Sequence, residues 1–517
     1  MTNTKSLPQG FHKSALSCET LFLQPADSDF YQCLCESLKF AERYPEVLEM
    51  IERDQDQHGL KKKVVRKMDR VSEIEKLSHL EFIEDNSVAN IIEISSLERG
   101  RPRMSPLTVF LYLMAESFLG GSTTTIKSKN YLADSQTIFV FLMHQQIKVP
   151  GASTIHENLR CLTPTTVERI FDLQVKMIVD DELDSFKRIF IDSTGVMANS
   201  AWPTDSFIMH GLARRTMLAL TRLHKMFGNA FSDKKLTEWI QLVGKIDFEI
   251  SMVKGKVNAE VARKKLYRKL LAVVKKFIVR ATKRMTEFRT EYKDAELNFS
   301  GRKSVAAKIE IFAKTVGDLL HASDYCRKRI FDDVNTASTE KILSLCDEDV
   351  AFIIKGGRDT VLGYKPQVAL SDNMFITSVL VPEGNAADSD MLLLSVDDSN
   401  ARTGVMPRVV STDDGYVSGK NLKELTDLGV EVVSFGGSKG KKLLKARWEQ
   451  EDFAKARNDR SKAESIMFSI KHLFDFGQLQ RRGVDEARVE LTMKAVIYNF
   501  YHIAKKKRES KKLIAVA

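Results

Sequence analysis

The stretch "KRIFID", Lys187 to Asp192, limits the fold more than any other part of the chain, because it is a lone run of strand character between two long helical stretches. From Leu21 to about Asp184, apolar residues recur every three or four positions, as in "FYQCLCESLKFAERYPEVLEMI" and "SPLTVFLYLMAESFL". After Asp192, "HGLARRTMLALTRLHKMFGNAF" and the chain onward to about Leu345 again read as amphipathic helices. Past Glu348 the period shortens to two. "TVLGYKPQVAL" and "FITSVLVPEG" read as two antiparallel strands joined by the turn "SDNM", Ser371 to Met374. A helix "DSDMLLLSV", a buried strand "RVVST" ending at Asp413, a helix "GKNLKELTDLG", a strand "VEVVSF" and a helix from near Phe453 come next. Strands alternating with helices imply a sheet covered on both faces. The expectation is an α/β fold whose mixed sheet is split by a helical insertion after its first strand.

The corresponding organisation is a helical N-terminal region over 1–185, the first part of the sheet domain over 186–209, a basic helical insertion over 210–347, the rest of the sheet domain over 348–500 and a basic tail over 501–517. Composition enters as a bound on partners. The 517 residues leave room for about three or four domains, and 43% hydrophobic with 29% charged residues is the balance of a folded soluble protein. A net charge of +10 and a pI near 9.0 favour an anionic partner, nucleic acid first, although such charge equally serves solubility. Two basic stretches, "LKKKVVRKMDR" from Leu60 to Arg70 and the long helix from Glu260 to Arg289, each have two readings, a DNA-contacting face or a solvated one. Six scattered cysteines form no zinc pattern or disulfide framework and fit a reducing cytoplasm. The N-terminus lacks the features of a secretory signal, and the most apolar run, from Leu107, is too short to span a bilayer and carries Glu116.

Two acids share one position, since Asp192 and Asp413 each end an apolar strand. For either alone, a turn or helix cap is the simpler account. A third acid, Glu464, lies on a helix with Arg460 four residues before it, Lys471 seven after it and Arg457 on the same face. An ordinary i,i+4 pair explains Arg460 and Glu464 but not the strand-end acids. If the three converge, their oxygens repel unless protonated or bound to cations, and Mg²⁺ takes such ligands while bridging phosphate oxygens. Two such ions about 3.5–4 Å apart suit in-line displacement at a phosphodiester.

Three motifs, "IDST", "STDDGY" and "RSKAESIMFSIK", resemble the three parts of the catalytic triad of bacterial insertion-sequence transposases of the DDE type, which have an RNase H-like fold. "GYKPQVAL" and "GNAADSDML" are similar to that fold's second strand and the segment after its third, and "VPGASTIHENLR", Val149 to Arg160, resembles the helical segment before the catalytic domain. Together these cover about half of the chain. The resemblance implies that Asp192, Asp413 and Glu464 are the catalytic, metal-binding acids, with Asp414 as the variable residue of the second motif. It implies two Mg²⁺ ions, replaceable by Mn²⁺, and matches Arg460 and Lys471 to residues that contact transposon-end DNA. A Tyr common three residues before that Arg is replaced here by Arg457, which can supply another phosphate contact. Some relatives carry a β-rich insertion between the second Asp and the Glu, whereas here the extra material comes after Asp192 and reads as helical.

The implied activity is metal-dependent strand cleavage at element ends followed by strand transfer to target DNA, carried out by a cytoplasmic, nucleoid-associated homodimer with a DNA-binding N-terminal region. Two rivals stand beside it, an RNase H-like nuclease that only hydrolyses and a domesticated DNA-binding protein. Trp448, near Lys441 and Lys442, is a candidate to stack on a base extruded from the end, its simpler reading being a core or rim aromatic. Asp205 reads as a helix N-cap rather than a supporting acid. His156 and His210 read as structural, and Gly436 with Gly437 fits no phosphate-binding loop.

Overall fold

The computed structural model describes residues 29–58, 104–119, 142, 150–253, 258–293, 295, 297–354 and 360–516. The basic stretch Leu60–Arg70 lies outside the described residues. Two compact units emerge, one containing 200–351, the other the described residues up to 57, those between 101 and 199, and 352 onward.

In the second of these, helices α1 (Asp29–Arg43), α2 (Pro106–Leu119), α3 (Ala152–Leu159) and α4 (Pro164–Asp180) precede strand β1 (Arg188–Ser193) and the two-residue β2 (Val196–Met197). Thr163 starts α4 by accepting the Thr166 N–H, with Pro164 at the first helical position, where its missing N–H costs nothing. The chain returns through β3 (Ala351–Ile353), β4 (Val361–Tyr364), β5 (Gln367–Ser371), β6 (Ile376–Leu380), β7 (Val409–Thr412) and β8 (Val432–Phe435).

The main sheet has the order β6-β5-β1-β7-β8. β1 runs antiparallel to β5 and parallel to β7, β6 is antiparallel to β5, and β8 is parallel to β7. The first strand is therefore central, flanked on one side by a hairpin and on the other by two parallel strands, which is the RNase H-like arrangement. Ile189, Ile191, Val410 and Val433 from the strands share a core with Leu392 and Val396 of the helix Asp388–Thr403 and with Phe453 and Ala456 of the helix Glu451–Leu473.

The hairpin turn at Ser371–Met374 forms as expected, closed by the Met374 N–H on the Ser371 carbonyl at 2.9 Å, with Met374 at φ 66°. "TVLGYKPQVAL" is not one strand. It breaks at Lys365-Pro366 into β4 and β5, because Pro366 has no N–H to donate to a ladder. β4 instead joins β2 and β3 in a small second sheet, where Gly363 is required: a Cβ there would run into the Val196 carbonyl oxygen.

The other unit is built from α5 (Asp205–Met226), α6 (Lys234–Ser251), α7 (Ala259–Glu291) and α8 (Phe299–Phe331). Residues at three- and four-residue spacing, among them Leu212 and Leu220, Val243, Leu270 and Phe277, and Leu319, fill one common core. The N-cap of α5 is Thr204, which accepts the Phe207 N–H at 3.2 Å, not Asp205. Asp205 takes the first helical position, where the helix dipole favours an acid, and pairs with Arg329 of α8 at 2.6 Å. His210 packs against Gly244 in this core, and burial lowers its pKa.

The remaining helices are α9 (Asp388–Thr403), α10 (Gly419–Asp427), α11 (Gly437–Leu444), α12 (Glu451–Leu473) and α13 (Val484–Val516). α13 packs on α1, α2 and α4 and on the edge strand β6. There the buried Asn499 amide accepts the Ile376 N–H and donates to the Ile376 carbonyl, both at 2.9 Å, standing in for the neighbour an edge strand lacks.

Candidate active site

β1 is buried at Ile189, Phe190 and Ile191, and Asp192 is its first half-exposed residue after them. The parallel register sets Phe190 opposite Ser411 of β7. Two residues further on, Asp192 and Asp413 leave the sheet at the same level on neighbouring strands, which run about 5 Å apart. Asp413 begins a single 3-10 turn, Asp414–Tyr416, and accepts the Gly415 N–H at 2.9 Å.

Its neighbour Asp414 does something else. Its Oδ1 accepts the N–H groups of Lys439 at 2.9 Å and Gly440 at 3.2 Å, satisfying the exposed N-terminus of α11. Of the adjacent acids, Asp414 is tied to a helix end and Asp413 caps the turn at the strand end.

Below the two aspartates lies a buried polar network. Tyr416 is fully enclosed and its hydroxyl donates to Gln367 Oε1. Burial, then the charges of Asp388, Asp192 and Asp413, push the Tyr416 pKa well above its ordinary value, so three carboxylates surround this phenol. Asp388, at the start of α9, accepts from Gln367 Nε2 and pairs with Lys365 Nζ, each at 3.0 Å on Oδ1. Lys365 also donates to the Ala386 carbonyl at 3.1 Å. Burial works to raise the Asp388 pKa, but hydrogen bonds from Gln367, Lys365 and Ser193 outweigh it and hold the group below its ordinary value. The remaining oxygen faces the site: a Cβ on Gly415 would lie 2.9 Å from Asp388 Oδ2 and 3.1 Å from Asp413 Oδ1. Sequence reasoning misses Gln367, Lys365, Asp388 and Tyr416 as site residues. The available signal is two polar side chains flanking Pro366 beside otherwise apolar strands.

The third acid arrives on α12. Three contacts lay this helix across the sheet: Ser411 Oγ to the Ala456 carbonyl at 2.9 Å, Ser434 Oγ to the Phe453 carbonyl at 3.4 Å, and Arg188 to Asp459 at 2.9 Å. Glu464 is half-exposed and bound by Arg460 at 2.6 Å. Arg460 reaches back toward the strand ends: a Cβ on Gly436 would lie 3.7 Å from Arg460 Nε and 3.6 Å from Asp413 Cα. Asp192 and Asp413 are thus brought together, while the Glu464 carboxylate is engaged by its own helix. Among the described residues, no three His, Cys, Asp or Glu side chains are spaced to hold a metal ion.

Arg457 and Trp448 occupy each other. The guanidinium stands 3.8 Å from the indole centroid, and the indole packs partly buried on the sheet core. Lys441 and Lys442 are exposed in the last turn of α11, and Lys471 is half-buried in the last turn of α12.

Residues 333–500 match the family model for the transposase DDE domain. The chain carries a transposase DDE domain. The match contains Asp413 and Glu464, and the strand bearing Asp192 lies before it yet sits at the centre of the same sheet. No curated protein and no solved structure matches the chain. No helix among the described residues is long and apolar enough to cross a membrane.

Proposed function

We propose that the chain binds the ends of an insertion sequence and catalyses metal-dependent strand cleavage and strand transfer, with Asp192, Asp413 and Glu464 as the catalytic acids. The observation that carries this reading is the common level of Asp192 and Asp413 on adjacent parallel strands of an RNase H-like sheet.

The donor set suits a hard divalent cation, because its oxygens are carboxylates and its surroundings are already crowded with negative charge. Asp192 and Asp413 would hold Mg²⁺ or Mn²⁺, with Glu464 joining after its release from Arg460. When bound, the ions would activate the attacking hydroxyl and stabilise the leaving oxygen of a phosphodiester. The chain's own groups do the rest. The arriving backbone phosphate competes with Glu464 for Arg460, which frees the carboxylate and anchors the DNA in one exchange. Lys471, Lys441 and Lys442 add positive charge along the approach. Lys365 and Gln367 hold Asp388, whose other oxygen lies beside Gly415 next to Asp413 and adds to the negative charge that a cation would neutralise. Pairing two element ends calls for two copies of the chain.

The test uses labelled DNA carrying the element's own ends, with Mg²⁺ or Mn²⁺. Wild type should nick and join it. Asp192→Ala, Asp413→Ala and Glu464→Ala should each retain binding while cleavage falls by at least a thousandfold. Cutting without joined products favours the purely hydrolytic rival, and unchanged cleavage in the variants removes the acids from the chemistry.

A further inference from the structure

The helical unit contains a charge pattern that its own folding does not use. Between Val261 and Thr286, α7 carries ten Lys or Arg and no Asp or Glu. Two groups stand out among these cations. Arg280 and Arg284 bind the enclosed Asp233 at 2.8 and 2.7 Å and thereby fasten α7 to the start of α6. Lys265, Arg268, Lys269, Lys275, Lys276 and Lys283 lie opposite the buried residues Tyr267, Leu270, Val274, Phe277 and Ala281, and all six are exposed. Among the described residues only Lys283 of these six has a carboxylate near it, Glu287 at 3.9 Å, and Arg268 rests its guanidinium over Phe331 at 5.4 Å.

We infer that this outward face of α7 is a binding surface for the backbone of duplex DNA, giving the helical insertion a DNA contact of its own in addition to that of the strand-end acids. The inference rests on the transposase reading for the identity of the anion. Lys269, Lys276 and Lys283 recur every seven residues and so share one line along the helix. From Lys265 to Lys283 the face extends about 27 Å at 1.5 Å per residue, most of one turn of B-form duplex, about 34 Å long. Like charges at i,i+4, such as Lys265 and Lys269, repel each other in the free protein, and a polyanion removes that repulsion. The apolar residues on this face are the small Ala272 and the exposed Val261 and Val279. It therefore lacks the aromatic and leucine side chains with which a surface helix enters a lipid interface.

The experiment measures binding of the full chain to a random-sequence duplex without element ends, in EDTA, across a salt series. Lys269→Ala/Lys276→Ala/Lys283→Ala should lower the slope of log K against log salt by about two to three, since each lost phosphate contact removes about 0.9. At moderate salt its affinity should fall roughly tenfold or more. The corresponding triple Lys→Arg variant should match wild type. Should the triple alanine variant melt early, Lys276→Ala alone must still lower the slope by about 0.9. A slope equal to wild type overturns the inference, as does a loss confined to anionic phosphatidylserine vesicles with duplex binding intact. Nicking of element ends, run beside it, separates the two readings. Wild-type nicking with an unchanged slope removes only the role of α7, whereas no nicking and no duplex binding by wild type removes both.

Discussion

Arg402 is nine-tenths enclosed, reaches Glu168 at 2.7 Å and Asp398 at 3.2 Å, also pairs with Asp172, and lies 4.5 Å over the Phe171 ring. Removing it leaves three partly exposed acids close together without their shared cation, so Arg402→Leu should cost about 1–3 kcal/mol, read as a loss of denaturation midpoint at constant slope. Asp388 behaves differently, because its loss leaves the buried Lys365 ammonium facing an amide. Asp388→Asn should weaken both stability and end cleavage. Adding Lys365→Met should restore the melting temperature but not the cleavage, if the carboxylate acts on Asp413 rather than only on the fold. Recovery of both would make Asp388 a packing residue. At this scale the sequence was legible where a residue departs from its local pattern: an acid closing an apolar strand marks Asp192 and Asp413. It was silent on Asp388 and Arg402, whose partners are set by which elements the sheet brings together. It also offered Arg457 and Trp448 as DNA contacts without revealing that they stack on each other.

Among elements, β6 and α13 are joined through one side chain. Asn499→Leu leaves the Ile376 N–H and carbonyl buried without the amide and should cost about 2–4 kcal/mol, with early hydrogen exchange at β6. α6 and α7 are joined through Asp233, whose carboxylate is enclosed. Burial alone would raise its pKa, but Arg280, Arg284 and the Leu236 N–H overcome this and bring it down to about 2. A folded-state pKa below the unfolded value means stabilisation that is present at neutral pH and disappears as pH falls from about 4 to about 2. It amounts to about 2 kcal/mol. Acid titration of the helical unit should therefore show a loss in that window, and Asp233→Asn should flatten it. The strands along the chain and the hairpin turn followed from periodicity and turn residues, whereas their order in the sheet came only through the RNase H-like resemblance. The break at Pro366 did not, because a run of apolar residues around Tyr364 satisfies the period whichever sheet takes them.

Among the described residues, one hydrophobic core lies among α5–α8 and another around the main sheet, in separate compact units. Separate cores unfold as separate cooperative units. Calorimetry should show two transitions, with Arg402→Leu moving one and Asp233→Asn the other; a single transition shifted by both variants would contradict this. The sequence conveyed this division through its change of period at Lys187 and again past Glu348, since a strand period inside helical surroundings has to find partners elsewhere. That division also imposes a schedule on synthesis. Asp192 pairs with Val368, and β7 comes later still. At ordinary translation speeds the central strand waits on the order of ten seconds before either neighbour exists. During that wait both of its edges are open to other chains. The helical unit, made in the interval and held by contacts between successive helices, can fold while β1 waits, so the birth of the sheet is timed by the length of the insertion that divides it.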